Sequence, residues 1–310
     1  MTEPLEFVTL DVFTDQPFLG NPLAVVLGAD TLSTAQMQTI AREFNLSETI
    51  FVMAPQDAGH TARVRIFFPT AEIPFAGHPT IGCAIHLASA ANPEGDFEAL
   101  ITLEEEAGLV PVNVVRTGRA IRAEFKAPVL PHAPDLGQTP DNDRIAAALG
   151  LSAEAIGMPG HRPAVWQGGP AFLFVPLRDS DALEQAKPHE PAWSEIMGTA
   201  AVDSAYLYTD CQHTSVADYE ARMFSPTAGI PEDPATGSAS ALLAAQLLDS
   251  GVLKDGTQKL RLRQGLQMGR ASHITLTASC AQGALTDIRI AGSAVAIARG
   301  QITVPQQSRD

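Results

Sequence analysis

Glu48 is the side chain best placed in this sequence for proton transfer. It follows a helical stretch that ends near Asn45 and leads into the β-rich run TIFVMA at 49–54. Catalytic side chains are common where a loop enters a regular element. If Phe51 and Phe67 enclose Glu48, burial favours the neutral acid, which lets one carboxyl both accept and return a proton near neutral pH. The ordinary alternative is a surface or helix-capping carboxylate.

His78 and Asp233 complete the candidate catalytic set. Each lies in a turn that contains glycine and proline, directly before an apolar stretch with helical spacing. A helix N-terminus presents unpaired N–H groups and a partial positive charge, so such turns bind carboxylates and other anions. The ordinary alternatives are a turn histidine held by backbone hydrogen bonds, an acidic residue that favours a helix start, and hydroxyls that cap the helix. Residues expected to contact the substrate are Gly77, Thr236, Gly237 and Ser238.

An internal repeat relates the two turns. Residues 65–74 (RIFFPTAEIP) and 222–231 (RMFSPTAGIP) match at seven of ten positions with a constant offset of 157. An apolar helical run follows each copy, and a two-residue difference in loop length sets Gly82 opposite Gly237. Each half therefore predicts a strand, a turn and a buried helix.

A fainter echo pairs residues 40–48 with residues 145–153. It sets Ala153 opposite Glu48, so only one half of the chain carries this carboxylate. The arginine that begins each copy of the stronger repeat is expected to brace its own domain, because it recurs symmetrically.

The surrounding sequence predicts mostly strands. Residues 6–13 and 22–27 form a predicted hairpin, and Ser33 with Gln36 has the form of a capping box that opens a helix ending near Asn45. This pattern predicts an α+β fold with two pseudo-symmetric domains, each a curved sheet on one mostly apolar helix. Further strand-like runs in the second half are 171–177, 204–208, 258–263, 273–277 and 286–290.

Length and composition agree with two globular domains. The chain has 310 residues, of which 45% are hydrophobic and 18% charged, and it contains no low-complexity tract. We assign residues 1–127 to an N-terminal domain and residues 128–294 to a C-terminal domain, because a proline-rich passage spans 128–140. A strand near 295–310 is expected to return to the first domain.

Charge and motif content exclude several function classes. A net charge of -15 and a pI near 4.9 disfavour nucleic acids and anionic membranes as partners. No apolar run approaches the ~18 residues of a membrane span, and no targeting segment is recognisable, so a cytoplasmic protein is expected. Cysteines and histidines lack metal-ligand spacing and no nucleotide motif occurs, so neither a metal nor a cofactor is predicted. Glu104, Glu105 and Glu106 are interpreted as a solvated charge run without a role.

Five segments of this chain together resemble the PhzF family of phenazine-biosynthesis proteins, from the first predicted strand nearly to the C-terminus. The resemblance implies a diaminopimelate epimerase-like fold, in which two similar domains each wrap a barrel-like, mostly antiparallel sheet around a central helix. It also implies an active site between the domains and a homodimer. The segments are VFTDQPFLGNPLAVV (12–26), IAREFNLSETIFV (40–52), RIFFPTAEIPFAGHPTIG (65–82), RMFSPTAGIPEDPATGSA (222–239) and QGLQMGR (264–270).

The same resemblance implies a reaction. The phenazine enzyme isomerises trans-2,3-dihydro-3-hydroxyanthranilate without a cofactor, and a glutamate in its NLSET motif, here Glu48, moves a proton between ring carbons. The histidine of its GHP motif corresponds to His78, and the acidic residue of its EDxATGS motif to Asp233. Positions that hold the substrate carboxylate and ring substituents correspond to Gly77, Gly237 and Ser238.

The sequence departs from its relatives in two places. Related epimerases use a pair of cysteines, but Ala76 precedes the Gly77 turn and residues 232–235 contain no cysteine, which disfavours two-thiol racemisation. Pro231 and Pro234 stiffen the second turn, so the substrate need not be the phenazine precursor. Two rival interpretations remain: an epimerase or racemase that uses two carboxylates, and a non-catalytic metabolite-binding protein.

Overall fold

The computed structural model describes residues 3–135, 137–211 and 216–306. The strands of this part, in chain order, are β1 (Leu5–Val12), β2 (Asn21–Val26), β3 (Glu48–Met53), β4 (Ala62–Phe67), β5 (Glu72–Ile73), β6 (Phe97–Glu105), β7 (Gly108–Thr117), β8 (Ala120–Lys126), β9 (Ala164–Gln167), β10 (Ala171–Pro176), β11 (Ala205–Asp210), β12 (Tyr219–Ser225), β13 (Ile230–Asp233), β14 (Gly256–Gln264), β15 (Ser272–Ala281), β16 (Ala284–Gly292) and β17 (Ala294–Ile302). The helices are α1 (Thr34–Phe44), α2 (Gly77–Ala91), α3 (Asn142–Leu149), α4 (Ser180–Gln185), α5 (Ala192–Ala200) and α6 (Gly237–Asp249).

This content makes the protein a sheet-dominated α+β fold, as the strand-rich pattern of the sequence predicted. The chain divides into two compact units, Met1–Pro128 with Ala291–Asp310, and Val129–Ile290. Within the described ranges no helix is long and apolar enough to cross a membrane.

The first unit is built on a sheet that begins with the predicted hairpin. β1 pairs antiparallel with β2 and, on its other edge, with β17, which confirms the hairpin. The sheet continues from β2 to β3 in parallel, to β4 antiparallel, to β6 in parallel, and then through β7 and β8 antiparallel. Helix α1 opens on a capping box between Ser33 and Gln36 and ends at Asn45, both as predicted, and Asn45 is in the left-handed conformation.

Helix α2 is the buried helix of the first unit. Small residues allow it to approach the strands closely: a methyl group added to Gly82 would lie 2.6 Å from a Leu23 methyl and 2.8 Å from a Val12 methyl. Most of its residues are buried, and it contacts β1, β2, β6, β7 and β8. This contact fixes the N-terminal turn of α2 relative to the start of β2.

The second unit has its own sheet and its own buried helix, α6. β9 and β10 pair antiparallel, β10 and β11 parallel, β11 and β12 antiparallel, β12 and β14 parallel, and β14 and β15 antiparallel. Ten of the thirteen residues of α6 are buried. Helices α3, α4 and α5 pack around a separate apolar cluster that contains Trp193 and Leu207.

Strand register corrects the alignment of the repeat. Ile66 and Met223 are equivalent at the offset of 157, but Ile66 pairs with Ile73 whereas Met223 pairs with Asp233. Asp233 is therefore the counterpart of Ile73, and the chain between them is three residues longer in the second unit. Part of the extra length forms a 3-10 turn that ends at Gly229 in the left-handed conformation, and the rest is an irregularity in the pairing of β12 with β13.

The helix starts follow the corrected alignment. Gly77 is the first residue of α2 and Gly237 the first of α6, so the predicted equivalence of Gly82 with Gly237 is wrong. The predicted equivalence of Ala153 with Glu48 is also wrong, because Glu48 begins β3 whereas Ala153 lies in a 3-10 turn after α3. Register instead makes Thr49 equivalent to Ala205, so the counterpart of Glu48 is Ser204.

The repeated arginine braces each unit, as predicted. Arg65 forms an ion pair with Glu72, and Arg222 forms one with Glu232 at 2.8 and 2.9 Å. Arg222 is buried, and its Nη1 also donates to carbonyl groups at the C-terminal end of α4. These carbonyl groups belong to Leu183, Glu184 and Ala186.

We predict that Arg222→Met lowers the free energy of unfolding by about 3–5 kcal/mol, because it leaves buried acceptors without a donor. Arg65→Met is the matched control at the equivalent position. It is expected to lower the free energy of unfolding by about 1 kcal/mol or less, because the Arg65 pair is partly exposed. Urea denaturation of both variants measures the difference, and equal losses would contradict the assignment of Arg222 as the stronger brace.

The interpretation of residues 104–106 as a solvated charge run is wrong for two of its members. Glu104 accepts the backbone N–H groups of Gln56 and Asp57 and contacts His60 at 2.7 Å. These hydrogen bonds lower the pKa of Glu104 to about 2. Glu105 is buried, and burial raises its pKa to about 8. Strand alternation turns successive carboxyls to opposite faces of β6, so they do not form one charged surface.

Candidate active site

Glu48 is the first residue of β3 and is enclosed within the first unit. All six residues of β3 are buried, and 7% of Glu48 is exposed. The enclosing residues differ from those predicted, because Phe51 and Phe67 stack edge to face on the opposite side of the strand. Leu23 lies directly across from Glu48 in β2, on the side of the sheet that packs against α2.

His78 is the second residue of α2 and meets Glu48. Its Nδ1 lies 3.1 Å from Glu48 Oε2 and 3.4 Å from Nδ2 of Asn21, the first residue of β2. The structure therefore brings two of the three predicted catalytic residues together. Burial lowers the pKa of His78 to about 3, and a hydrogen bond to the Pro22 carbonyl acts in the opposite direction. The imidazole is consequently neutral at physiological pH.

A neutral imidazole beside a buried carboxyl defines what this pair can do. His78 cannot supply a stable positive charge to Glu48, so the 3.1 Å contact joins a neutral ring nitrogen to a buried carboxyl and is not a permanent ion pair. This arrangement favours a single carboxyl that both removes and returns a proton.

Asp233 ends β13 in the second unit and is 4% exposed. Its Oδ2 accepts a hydrogen bond of 2.6 Å from the hydroxyl of Thr236. Thr236 occupies the cap position of α6, but its side chain makes no capping bond to the helix. Gln264, at the end of β14, bonds the backbone carbonyl of Asp233 and both the N–H and the hydroxyl of Thr236. Thr236 therefore contacts the carboxylate directly, and Gln264 holds the turn that carries it.

The remaining predicted site residues lie in the first turns of the two buried helices. Gly77 and Gly237 are each the first residue of a helix and are buried, and Ser238, the second residue of α6, is partly exposed. Hydroxyl bonds inside these turns are equivalent: Thr80 donates to the Ala76 carbonyl and Ser240 to the Thr236 carbonyl, both at 2.8 Å.

A model of the phenazine biosynthesis-like protein family, PhzC-PhzF, matches residues 10–300. The chain belongs to the PhzF family. This confirms the resemblance found in the sequence motifs.

Two curated relatives of this PhzF-family chain are isomerases. An uncharacterised isomerase of Mesorhizobium japonicum is 41% identical, and the alignment covers 96% of this chain and 98% of that protein. The trans-2,3-dihydro-3-hydroxyanthranilate isomerase of Pseudomonas chlororaphis is 34% identical over 96% of this chain and 99% of its own length. The crystal structure of a PhzF-family protein from Bacillus anthracis matches with a TM-score of 0.84 at 25% identity, over 98% of this chain and 100% of that one.

Thiol chemistry is disfavoured in this PhzF-family chain. Cys83, Cys211 and Cys280 are free and buried, and burial raises the pKa of each thiol. A thiol that does not ionise is neither a strong base nor a strong nucleophile. The only cysteine on α2 or α6 is Cys83, which lies in the second turn of α2.

Sequence reasoning missed Asn21 and Gln264, which contact the predicted PhzF-family site residues. Both residues lie inside motifs that carried the resemblance, GNP and QGLQMGR. An uncharged amide gives no chemical signal of its own in a sequence. The one sign of a role was position: Asn21 is the first residue of β2, and Gln264 is the last residue of β14.

Proposed function

We propose that this PhzF-family isomerase moves a proton between two carbons of a small unsaturated carboxylate. The carrying observation is the buried contact between Glu48 and a neutral His78. The name of the Pseudomonas chlororaphis relative makes trans-2,3-dihydro-3-hydroxyanthranilate the first substrate to test. A binding protein without activity has no need of a buried proton acceptor paired in this way.

The proposed reaction uses one base. Glu48, as the carboxylate, removes a proton from an activated carbon while the neighbouring double bond shifts. The C–H electron pair enters the conjugated system, and Glu48, now the acid, returns the proton at the second carbon. No atom is gained or lost and no electron acceptor is required. Burial of Glu48 beside His78 keeps the proton from bulk water.

The second unit is proposed to bind the substrate. Asp233 accepts a hydrogen bond from an N–H or O–H group, and the first-turn amide of α6, at Gly237, binds the substrate carboxylate. Gly77, beside His78 in the first unit, stays a predicted substrate contact. Ser238, which is partly exposed, supplies a hydroxyl. We revise the role of Thr236 from substrate contact to orientation of Asp233, because its hydroxyl hydrogen is directed to that carboxylate.

The test is turnover of trans-2,3-dihydro-3-hydroxyanthranilate by the purified protein in deuterated water. We expect a change in ultraviolet absorbance, because the conjugated system moves, and NMR should place the transferred hydrogen on a different carbon. Exchange at the original carbon with unchanged absorbance would identify an epimerase instead. No change in either signal from folded protein would exclude this substrate, and other small carboxylates would then be screened.

We also propose that the two compact units are duplicated domains of the diaminopimelate epimerase-like kind. Each has a parallel pairing flanked by antiparallel ones in the same order, an Arg–Glu brace and a buried helix after it. A homodimer follows from the resemblance, and light scattering with in-line size exclusion checks it. Three free cysteines are compatible with the cytoplasmic location that we propose.

A further inference from the structure

Gln264 makes three hydrogen bonds to the turn that precedes α6. It is fully buried at the end of β14. Its Oε1 accepts from the Thr236 N–H at 3.1 Å, and its Nε2 donates to the Asp233 carbonyl at 2.8 Å and to the Thr236 hydroxyl at 2.9 Å. One side chain thus binds both ends of the segment 233–236.

The orientation of this amide is set by chemistry. The Thr236 N–H can only donate and the Asp233 carbonyl can only accept. The amide oxygen must therefore face Thr236 N and the amide nitrogen must face Asp233 O. The second hydrogen of Nε2 is left for the Thr236 hydroxyl.

The orientation of the Gln264 amide also sets the direction of the hydrogen bond between Thr236 and Asp233. Because the Thr236 hydroxyl accepts from Gln264, its single hydrogen is directed to Asp233 Oδ2 at 2.6 Å. A distance in this range is typical of a hydroxyl that donates to an ionised oxygen. A chain of hydrogen bonds therefore runs from the Gln264 amide through the Thr236 hydroxyl to the Asp233 carboxylate.

The backbone beside Gln264 is adapted to this contact. Gly265 is in the left-handed conformation (φ 77°), and a methyl group on it would lie 2.7 Å from the Pro234 carbonyl and 2.6 Å from the Arg270 carbonyl. The start of the QGLQMGR motif therefore lies against the turn that carries Asp233. The first unit has an isoleucine, Ile73, at the position equivalent to Asp233, so only the second unit needs this arrangement.

We propose that Gln264 is a positioning residue that acts through Thr236 to keep the Asp233 carboxylate ionised and oriented as an acceptor for an N–H or O–H group of the substrate. The substrate contact rests on the proposed function. The ionisation of Asp233 does not, and it can be measured without turnover.

The first experiment follows the ¹³C resonance of the Asp233 carboxyl with pH, assigned through Asp233→Asn. In Gln264→Met, which keeps the size of the side chain but has no amide, we expect the protonation midpoint of Asp233 to move to higher pH. Gln246→Met is the matched control, since Gln246 is also buried but bonds Trp166 and the Arg162 carbonyl. It should leave the midpoint unchanged. An unchanged midpoint in Gln264→Met would overturn the proposal.

A double-mutant cycle on kcat/KM tests the same inference during turnover. We expect Gln264→Met to lower kcat/KM by about 10- to 100-fold in the wild-type background, and to have little further effect in Asp233→Asn. Additive losses would indicate a structural role and would contradict the proposal. If Gln264→Met does not fold, Thr236→Val removes only the hydroxyl and is expected to give the same shift in midpoint. A shifted midpoint in a protein that does not turn over the phenazine precursor would support the positioning role and reject that substrate.

Discussion

Glu48→Gln is expected to lower kcat by about 10²- to 10⁴-fold, the usual contribution of a general acid/base group. Glutamine keeps the shape of the side chain and its contact with His78, but it neither removes nor returns a proton. Because His78 is neutral and buried, with its pKa lowered to about 3, it does not replace Glu48 as a base. Ultraviolet and NMR assays of the substrate in deuterated water measure the loss.

The control for this variant is Glu43→Gln, an exposed glutamate of α1 that precedes Glu48 by five residues. It removes the same charge from the same unit and should leave kcat unchanged. Circular dichroism and thermal unfolding must show that Glu48→Gln remains folded. Retained turnover in folded Glu48→Gln would show that Glu48 is not the base, whichever substrate is used.

Local signals in the sequence predicted local structure correctly. The Ser33–Gln36 capping box and the end of the helix at Asn45 lie where expected because caps and turns are determined by neighbouring residues. The buried helix after each repeat was predicted from its small apolar residues for the same reason. The long motifs identified the family, and the family model confirms it.

Sequence identity predicted the wrong strand register for the second copy of the repeat. Ile73-Pro74 and Ile230-Pro231 are identical dipeptides at the offset of 157, yet strand pairing makes Ile73 equivalent to Asp233. Side chains alone cannot reveal a three-residue insertion when similar residues recur by chance on each side of it. The pairing of backbone groups across strands decides the register.

The burial of individual polar side chains was also predicted wrongly from the sequence. Glu104, Glu105 and Glu106 are alike in a linear reading, but β6 alternates, so Glu105 shares the inward face with Ile101 and Leu103. The alternation of apolar and polar residues in β6 is visible in the sequence, but three consecutive glutamates suggested a solvated segment instead. The hydrogen bonds of an amide such as Gln264 depend on the fold and were not available.

Glu105→Gln is expected to stabilise the protein increasingly as pH rises. Glu105 Oε1 lies 2.7 Å from the Thr80 hydroxyl, whose one hydrogen also has the Ala76 carbonyl as an acceptor at 2.8 Å. Both contacts are satisfied when Glu105 is protonated and donates to Thr80. Burial raises the pKa of Glu105 from 4.5 to about 8 in the folded protein, consistent with this donor role.

The sign of the pH dependence follows from proton uptake. Between pH 4.5 and about 8 the folded protein keeps the proton of Glu105 while the unfolded chain loses it. The free energy of unfolding therefore falls as pH rises through this window, by up to about 1.4 kcal/mol per pH unit. Glutamine is neutral throughout and its N–H can donate to Thr80, so the variant avoids a loss on the order of 4 kcal/mol by pH 8.

Urea denaturation of wild type and Glu105→Gln between pH 5.5 and 8.5 measures this effect, above the pI near 4.9 where solubility is lowest. The difference in unfolding free energy between the two proteins should grow with pH and level off above about pH 8. Other titrating groups contribute to both proteins and cancel in the difference. Glu106→Gln, which changes the exposed neighbour, should give a difference that does not vary with pH. Parallel curves for Glu105→Gln and wild type would mean that Glu105 is already ionised in the fold, with Thr80 donating to it in place of the Ala76 carbonyl.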